Sequence, residues 1–253
     1  MKNHDIKALV ADYTRTLALP ELAGMWAVVV FFRLPGFVVA WLAIAVGISA
    51  TQLTILGLAT TVLIALASVF LPLPMALVVL VVLAVCFQVL DCADGTVARA
   101  TGTASLTGRF LDFASDILWR ATCLAALGHV ADRLAPGATP AWLAVGIMAG
   151  FCATYARLIR SYVDTLPGAD DGAGDASTFR LTFGNLAFAF LSGLDQIIPM
   201  IALAAWAFGA LELLLIFALI YHPGLFTEPF SAGGFWRFQG PGRAHSGVPS
   251  GIG

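Results

Sequence analysis

The chain has few charged residues. Only 11% of its 253 residues are charged and 60% are hydrophobic, with a mean hydropathy of +0.92. Soluble domains carry about 25% charged residues, so the composition excludes an ordinary soluble domain and indicates an integral membrane protein. The formal net charge is −2. The chain therefore lacks the basic excess that a nucleic-acid-binding protein needs, and no nucleic-acid partner is expected.

Cysteine is also scarce. The 4 cysteines lie in or beside apolar segments and show no Cys-x-x-Cys spacing, so they are predicted to be small buried side chains. Residues 1–20 lack the charged-then-apolar pattern of a secretory signal peptide. Their apolar periodicity instead predicts a cytoplasmic amphipathic helix that precedes the membrane domain.

Long apolar runs make up most of the remaining chain. A helix needs about 20 apolar residues to cross a bilayer, and six segments fit this length: 51–71, 75–99, 108–130, 141–163, 179–193 and 199–221. We therefore predict an all-α integral membrane protein, with a domain of six transmembrane helices over residues 48–222.

The flanking regions are predicted to differ from this domain. Residues 22–46 are apolar, but Arg33, Pro35 and Gly36 interrupt them, which favours interfacial helices over a seventh span. We assign residues 1–47 to cytoplasmic and interfacial helices. Residues 223–253 are rich in Gly, Pro and Ser, which predicts a disordered tail.

Lysine and arginine predict the orientation. With the N-terminus inside, all of the 13 Lys and Arg residues except Arg120 and Arg133 fall in cytoplasmic segments or at cytoplasmic helix ends. Positive residues favour the cytoplasmic side. Both termini are therefore expected inside, in a cytoplasmic (inner) membrane.

Four carboxylates stand out in this apolar chain. Asp91 and Asp94 have i, i+3 spacing and share one face of the second predicted span, while Asp112 and Asp116 have i, i+4 spacing on the third. The turn between these spans is short, so the helices are expected to be antiparallel and their acidic faces to meet.

Like charges near lipid require compensation, which divalent metal ions supply. Oxygen ligands without His or Cys favour Mg²⁺ or Mn²⁺ over zinc. Four carboxylates can hold two metal ions and clamp a diphosphate for in-line displacement, and Arg99 can neutralise phosphate charge. The pattern predicts a two-metal site at the membrane surface.

The spacing resembles the signature of the CDP-alcohol phosphotransferase (phosphatidyltransferase) family, D-x2-D-G-x2-A-R-x8-G-x3-D-x3-D. All eight fixed positions are present: Asp91, Asp94, Gly95, Ala98, Arg99, Gly108, Asp112 and Asp116. The resemblance extends over about residues 30–222. Residues 50–52 read Ala-Thr-Gln where the family usually has a Pro-Asn-like pair, a departure that lies away from the carboxylates.

This resemblance implies roles for the matching residues. Asp91, Asp94 and Asp112 would be metal ligands, and Asp116 would be the general base as well as a metal contact. Gly95, Ala98, Arg99 and Gly108 would line the CDP pocket. The family also implies Mg²⁺ or Mn²⁺, a homodimer, and a site that opens to the cytoplasm.

Several arginines are further candidates for the site. Arg157 and Arg160 share a helix face and Arg180 opens the fifth predicted span, so together they could bind an acceptor that carries a phosphate. Plain positive-inside topology explains them equally well. Arg120 shares a face with Asp116. It either steers the acceptor, tunes Asp116, or forms a structural ion pair with Asp116 or Glu212.

The leading hypothesis is transfer of a phosphatidyl group from CDP-diacylglycerol to a small polar alcohol, a phosphorylated one included, with release of CMP in phospholipid biosynthesis. The alternative is transfer of a CDP-linked head group, of the choline or ethanolamine type, to diacylglycerol. A divalent-cation transporter would leave Gly95, Ala98, Arg99 and Gly108 without a role, and a positive Arg99 would repel the ion. An inactive scaffold is disfavoured because no signature residue is missing.

Overall fold

A computed structural model describes residues 5–18, 21–22, 25–135, 141–163 and 183–224, with the backbone alone at 160, 163, 183–188 and 224. Within these ranges the chain forms helices and connecting turns, without a β-strand. This architecture confirms the prediction of an all-α protein.

The main helices of the described ranges follow in chain order. They are α1 (Ile6–Thr16), α2 (Arg33–Val46), α3 (Ala50–Phe70), α4 (Leu73–Thr101), α5 (Leu106–Leu134), α6 (Trp142–Val163), α7 (Phe183–Gln196), α8 (Ile198–Ala207) and α9 (Leu211–Gly224). A π-helical turn, Val28–Phe32, leads directly into α2.

The sequence specifies the connection from α2 to α3. Helix α2 ends at Gly47, which has a positive φ of 78°, a conformation that glycine adopts without a steric penalty. Ser49 then caps α3 through a capping box, in which its hydroxyl accepts from the Gln52 N–H and the Gln52 side chain accepts from the Ser49 N–H. The segment 47–52 therefore both ends one helix and starts the next.

Helices α4 and α5 form the hairpin that carries the predicted site. Helix α4 ends at Gly102, with φ of 68°, and the Ser105 hydroxyl caps α5 by accepting from the Gly108 N–H at 3.0 Å. Each helix has 29 residues. Such a helix is about 43 Å long at 1.5 Å per residue, longer than the roughly 30 Å hydrocarbon core.

Charged residues cap helices at the far end of α5. Both Asp132 carboxylate oxygens accept backbone N–H groups at the start of α6, from Trp142 at 2.5 Å and Leu143 at 2.9 Å. Arg133 donates to the last carbonyls of α3, to Ser68 at 2.6 Å and Leu71 at 2.7 Å. These contacts satisfy helix-end groups that have no partner within their own helix.

The core lies between α4 and α5 and continues into α6, α8 and α9. Phe87 and Trp119 stack at 5.0 Å between ring centroids, one helical turn deeper than the carboxylates. Helices α5 and α6 approach closely, since a Cβ on Gly146 would come within 2.3 Å of the Leu124 carbonyl oxygen. Both features hold α5, and hence Asp112 and Asp116, in a fixed position.

Four helices of the described ranges are long and apolar enough to cross a membrane, which indicates an integral membrane protein: Val28–Val46, Ala50–Phe70, Leu73–Thr101 and Trp142–Ile159. A fifth candidate is the pair Ala189–Gln196 and Ile198–Ala207, which is bent by 79°. The predicted count of six is not confirmed. Helix α5 exists where a span was predicted, but its charged residues lower its hydropathy.

Two predicted segments differ from the structure. Residues 28–46 form one continuous helical segment of 19 residues, which Pro35 and Gly36 do not break, and the interfacial helix pair is not confirmed. The predicted span 199–221 is wrong, because Gly209 adopts a positive φ of 64° and separates α8 from α9. The predicted fifth span is described only from residue 183 and continues to Gln196. The predicted tail lies outside the described residues, apart from 223–224.

Candidate active site

The carboxylate cluster, Asp91, Asp94, Asp112 and Asp116, lies between α4 and α5. The carboxyl groups of Asp91 and Asp112 lie close to each other. Asp94 and Asp116 are near enough for their charges to interact with that of Asp91. The two acidic faces predicted from the spacing therefore meet. Asp94 is 5% exposed, whereas Asp112 is exposed, so the cluster runs from the interior to an open side.

A threonine of α3 supports the buried end of this cluster. The Thr54 hydroxyl oxygen lies 2.5 Å from Asp94 Oδ2, and both side chains are buried. A hydroxyl donor on a carboxylate fixes its orientation and offsets the loss of hydration. The contact therefore ties α3 to the cluster.

The residues predicted to line a CDP pocket follow at the hairpin end of α4 and α5. Arg99 folds back along its helix, with Nη2 at 3.4 Å from the Thr96 hydroxyl and Nη1 at 3.2 Å from where a Gly95 Cβ would lie. Gly108 lies in the first turn of α5, where its Cβ would come within 3.2 Å of the Ser105 hydroxyl. The missing side chain at Gly95 thus leaves room for the Arg99 guanidinium.

Two guanidinium groups flank Asp116. Arg157 Nε lies 3.3 Å from Asp116 Oδ2, at ion-pair distance although its N–H is not aligned for a hydrogen bond. Arg120 Nη2 lies 3.5 Å from Asp116 Oδ1. The structure thus brings two of the four arginine candidates to the cluster. The Arg160 side chain and the whole of Arg180 lie outside the described residues.

A deeper polar network was missed by the sequence analysis. Arg120 Nη1 lies 2.5 Å from Asp195 Oδ2, and His222 Nε2 lies 3.0 Å from Asp195 Oδ1. Arg120 therefore pairs with Asp116 and Asp195, and the suggested Glu212 partner was wrong. The available signal was Asp195 itself, an acidic residue between two apolar segments, since such residues have partners in the membrane.

A second missed group, the N-terminal clasp, consists of Tyr13, Glu21, Arg33 and the Cys92 carbonyl. Arg33 forms an ion pair with Glu21 and donates to the Cys92 carbonyl at 3.4 Å, and the Tyr13 hydroxyl donates to Glu21 at 2.9 Å. Burial and the Glu21 carboxylate raise the pKa of Tyr13 above its usual range. The clasp thus fixes α1 and α2 to the part of α4 between Asp91 and Asp94.

Comparison with known proteins decides the family. The sequence model of the CDP-alcohol phosphatidyltransferase family matches residues 47–217, more than half of the chain. The chain belongs to the CDP-alcohol phosphatidyltransferase family. The match covers α3 to α8 and part of α9, and so includes the whole carboxylate cluster. No curated protein and no solved structure matches the chain.

CDP-alcohol phosphatidyltransferases are generally divalent-metal dependent. In the described part of this chain, no group of three or more His, Cys, Asp and Glu side chains is already arranged to hold a metal ion. The donor chemistry nevertheless fits one, since the carboxyl groups of Asp91 and Asp112 lie close together and oxygen ligands suit a divalent cation, which would offset their mutual repulsion. The four carboxylates of the cluster are the residues that would hold it.

Proposed function

We propose that this protein transfers a phosphatidyl group from CDP-diacylglycerol to a small polar alcohol and releases CMP. Membership of the CDP-alcohol phosphatidyltransferase family supports transferase activity in lipid synthesis. The observation that carries the finer proposal is the convergence of two acidic helix faces between α4 and α5, with Arg157 beside Asp116.

The proposed metal ligands are Asp91, Asp94, Asp112 and Asp116, for Mg²⁺ or Mn²⁺ and with two ions per site. When bound, the ions offset charge on the donor diphosphate and make CMP a better leaving group. Gly95, Ala98, Arg99 and Gly108 are assigned to the CDP moiety. The Arg99 guanidinium suits a diphosphate, and the missing side chain at Gly95 leaves space for that guanidinium.

Asp116 is proposed as the general base. It accepts the proton of the acceptor hydroxyl while that oxygen forms a bond to the phosphatidyl phosphorus. The bond from phosphorus to the bridging oxygen breaks, and CMP leaves with that oxygen. Helix α5 holds Asp116 in place through the Phe87–Trp119 stack and the close contact with α6, so the base is positioned before the acceptor binds.

The arginines favour an acceptor that carries its own phosphate. The Arg157 side chain is 40% exposed and lies beside Asp116, so it can contact both the carboxylate and an incoming anion. Arg160 lies on the same helix, one turn closer to its end, and Arg180 is assigned to the same pocket. Arg120 is 13% exposed and engaged by Asp116 and Asp195, which fits a positioning role better than acceptor contact.

The cytoplasmic location of the site is also a proposal, and it rests on the distribution of Lys and Arg. We also propose an inner-membrane location, and a homodimer by analogy with the family. In the opposite orientation the site would face away from the cytoplasm. Accessibility labelling of a cysteine introduced at Thr103, in the turn between α4 and α5, tests this assignment.

The decisive experiment measures CMP release by the purified protein in detergent. CDP-diacylglycerol is supplied with Mg²⁺ or Mn²⁺ and a panel of alcohols, with and without a chelator. Metal-dependent release with one alcohol is the expected result. Asp116→Asn should lower this rate by about 10²- to 10⁴-fold and retain metal-dependent donor binding. Release only from a CDP-linked head group with diacylglycerol would support the alternative reaction direction.

A further inference from the structure

The bend between α7 and α8 lies directly beneath the carboxylate cluster. Helix α7 ends at Gln196 and α8 starts at Ile198, with an angle of 79° between them. Asp195 and Gln196 therefore lie at a helix end inside an apolar protein, where a broken helix leaves backbone groups without partners. Such an arrangement requires polar side chains from neighbouring helices.

Helices α4 and α5 each supply one such side chain. Gln88 of α4 donates to the Gln196 carbonyl at 3.2 Å, and Arg120 of α5 contacts both Asp195 at 2.5 Å and the Gln196 side chain at 3.5 Å. Gln88 precedes Asp91 by three residues, and Arg120 follows Asp116 by four. Both lie about one helical turn, roughly 5 Å, deeper than the carboxylates. The bend thus forms the floor of the site.

His222 of α9 fixes Asp195 from the other side. The Ala218 carbonyl can only accept, so His222 Nδ1 donates to it at 2.6 Å. His222 Nε2 lies 3.0 Å from Asp195 Oδ1, and a hydrogen bond there requires a proton on one of these two groups. His222 is 2% exposed. Both Asp195 oxygens are therefore engaged, one by His222 and the other by Arg120.

The two arginines at Asp116 consequently differ in their freedom to move. Arg120 is 13% exposed, contacts Asp195 and Gln196, and lies over the Trp119 ring at 5.8 Å. The Arg157 side chain is 40% exposed, and its contact at Asp116 is through Nε alone. Arg120 is therefore the fixed cation at Asp116 Oδ1, and what fixes it is the Asp195–His222 pair.

We propose that Asp195 and His222 are positioning residues for the transfer reaction: they hold the Arg120 guanidinium against Asp116 Oδ1 and thereby orient the carboxylate that accepts the acceptor's proton. This inference rests on the proposed function. Buried ion pairs are strongly directional in a medium of low dielectric, and a misplacement of about 1 Å in a reacting group lowers the rate by up to about 100-fold.

The test separates positioning from stability. Asp195→Asn should lower kcat by about 10- to 100-fold and leave KM for the CDP donor nearly unchanged, measured on protein that elutes as a folded species. His222→Gln should also lower kcat, but by less than Asp195→Asn does, because the Arg120–Asp195 contact persists. Arg133→Gln is the matched control, since it removes a part-buried arginine from the same helix at the opposite end. It should lower the thermal midpoint without changing kcat.

Coupling through Arg120 provides the second readout. If Asp195 acts through Arg120, the kcat of Arg120→Gln/Asp195→Asn should equal that of Arg120→Gln alone. A wild-type kcat in Asp195→Asn, or fully additive losses in the double variant, would overturn the inference. Should Asp195→Asn not fold, a wild-type kcat in His222→Gln would overturn it equally. Failure of the proposed function is distinct, because the wild-type protein itself would then release no CMP.

Discussion

A hydrogen bond from Thr54 to Asp94 joins α3 to the carboxylate cluster. The Thr54 hydroxyl oxygen lies 2.5 Å from Asp94 Oδ2 and 3.1 Å from the Ala50 carbonyl oxygen, and the shorter contact takes the single hydroxyl proton. The Thr54 hydroxyl thereby fixes the position of one Asp94 oxygen. The first turns of α3, which the family match includes, thus take part in forming the site.

Replacement of Thr54 should weaken metal-dependent activity. In Thr54→Val the hydroxyl is lost while the shape is retained, so Asp94 is no longer oriented. Loss of a partner of a ligating carboxylate typically weakens metal affinity by about 10- to 100-fold. A titration of CMP release against Mn²⁺ should show this shift in the half-saturating concentration, and Thr54→Ser should restore the wild-type value.

Thr61→Val serves as the control for this substitution. Thr61 is buried in the same helix, but its hydroxyl donates to the Gly57 carbonyl of its own helix at 3.3 Å. Its loss should leave the half-saturating Mn²⁺ concentration unchanged. Equal curves for Thr54→Val and wild type would mean that the hydroxyl does not orient a metal ligand.

Arg157 should determine acceptor affinity if the acceptor carries a phosphate. Arg157→Ala removes a half-exposed cation next to Asp116, so the acceptor KM should rise by about tenfold or more, as expected for the loss of a charge-assisted hydrogen bond of about 1.5–3 kcal/mol. The donor KM should change little. Arg157→Ala/Arg160→Ala should raise the acceptor KM further.

Arg109→Ala is the matched control for the acceptor experiment. Arg109 is exposed in the first turn of α5, on the same end of the hairpin as the cluster. Its removal lowers the positive charge of that surface equally, without a contact to Asp116. An equal rise of the acceptor KM in both variants would assign the effect to general surface charge.

The sequence predicted the carboxylate cluster because its information is local. Spacings of three and four residues place Asp91 with Asp94 and Asp112 with Asp116, and a short turn makes α4 and α5 antiparallel. The partners of Arg120 are different. Asp195 and His222 follow it by 75 and 102 residues on separate helices, so no spacing rule connects them. Tertiary packing alone brings these three residues together.

Helix positions were also predictable only where local sequence determines them. The average hydropathy of a segment identified α3, α4 and α6. It does not reveal the backbone conformation of a single residue, so the turn at Gly209 was missed and α8 and α9 were predicted as one helix. Pro35 and Gly36 misled the prediction in the opposite direction. Gly36 interrupts nothing, and its missing side chain lets α2 approach Cys92, where a Cβ would come within 2.8 Å of the Cys92 Cβ.

The N-terminal clasp should contribute strongly to stability. Glu21→Gln leaves Arg33 without its carboxylate in a site where both side chains are nearly buried, and Tyr13 loses a charged acceptor. Breaking a buried ion pair from one side costs about 3–5 kcal/mol. The thermal midpoint in detergent should fall clearly, and limited proteolysis should cleave near α1 sooner. Asp12→Asn, an exposed carboxyl on α1, should change stability by less than about 0.5 kcal/mol.

The contact between α5 and α6 should tolerate no added methyl group. In Gly146→Ala the new Cβ would lie 2.3 Å from the Leu124 carbonyl oxygen and 3.1 Å from Gly128 Cα, and backbone atoms cannot move aside as a flexible side chain can. Overpacking of this kind typically costs about 1–3 kcal/mol. The thermal midpoint in detergent should therefore fall.

Gly57→Ala provides the comparison within the same bundle, because its Cβ would meet only the Phe87 ring, at 3.4 Å. Alanine also favours helix by about 1 kcal/mol over glycine, so this variant should match or exceed wild-type stability. Since α5 carries Asp112 and Asp116, separation of α5 from α6 should also lower kcat in Gly146→Ala. Equal midpoints for the two variants would show that α5 and α6 do not pack at the distance described. The α5–α6 contact would then not be what holds Asp112 and Asp116 in position.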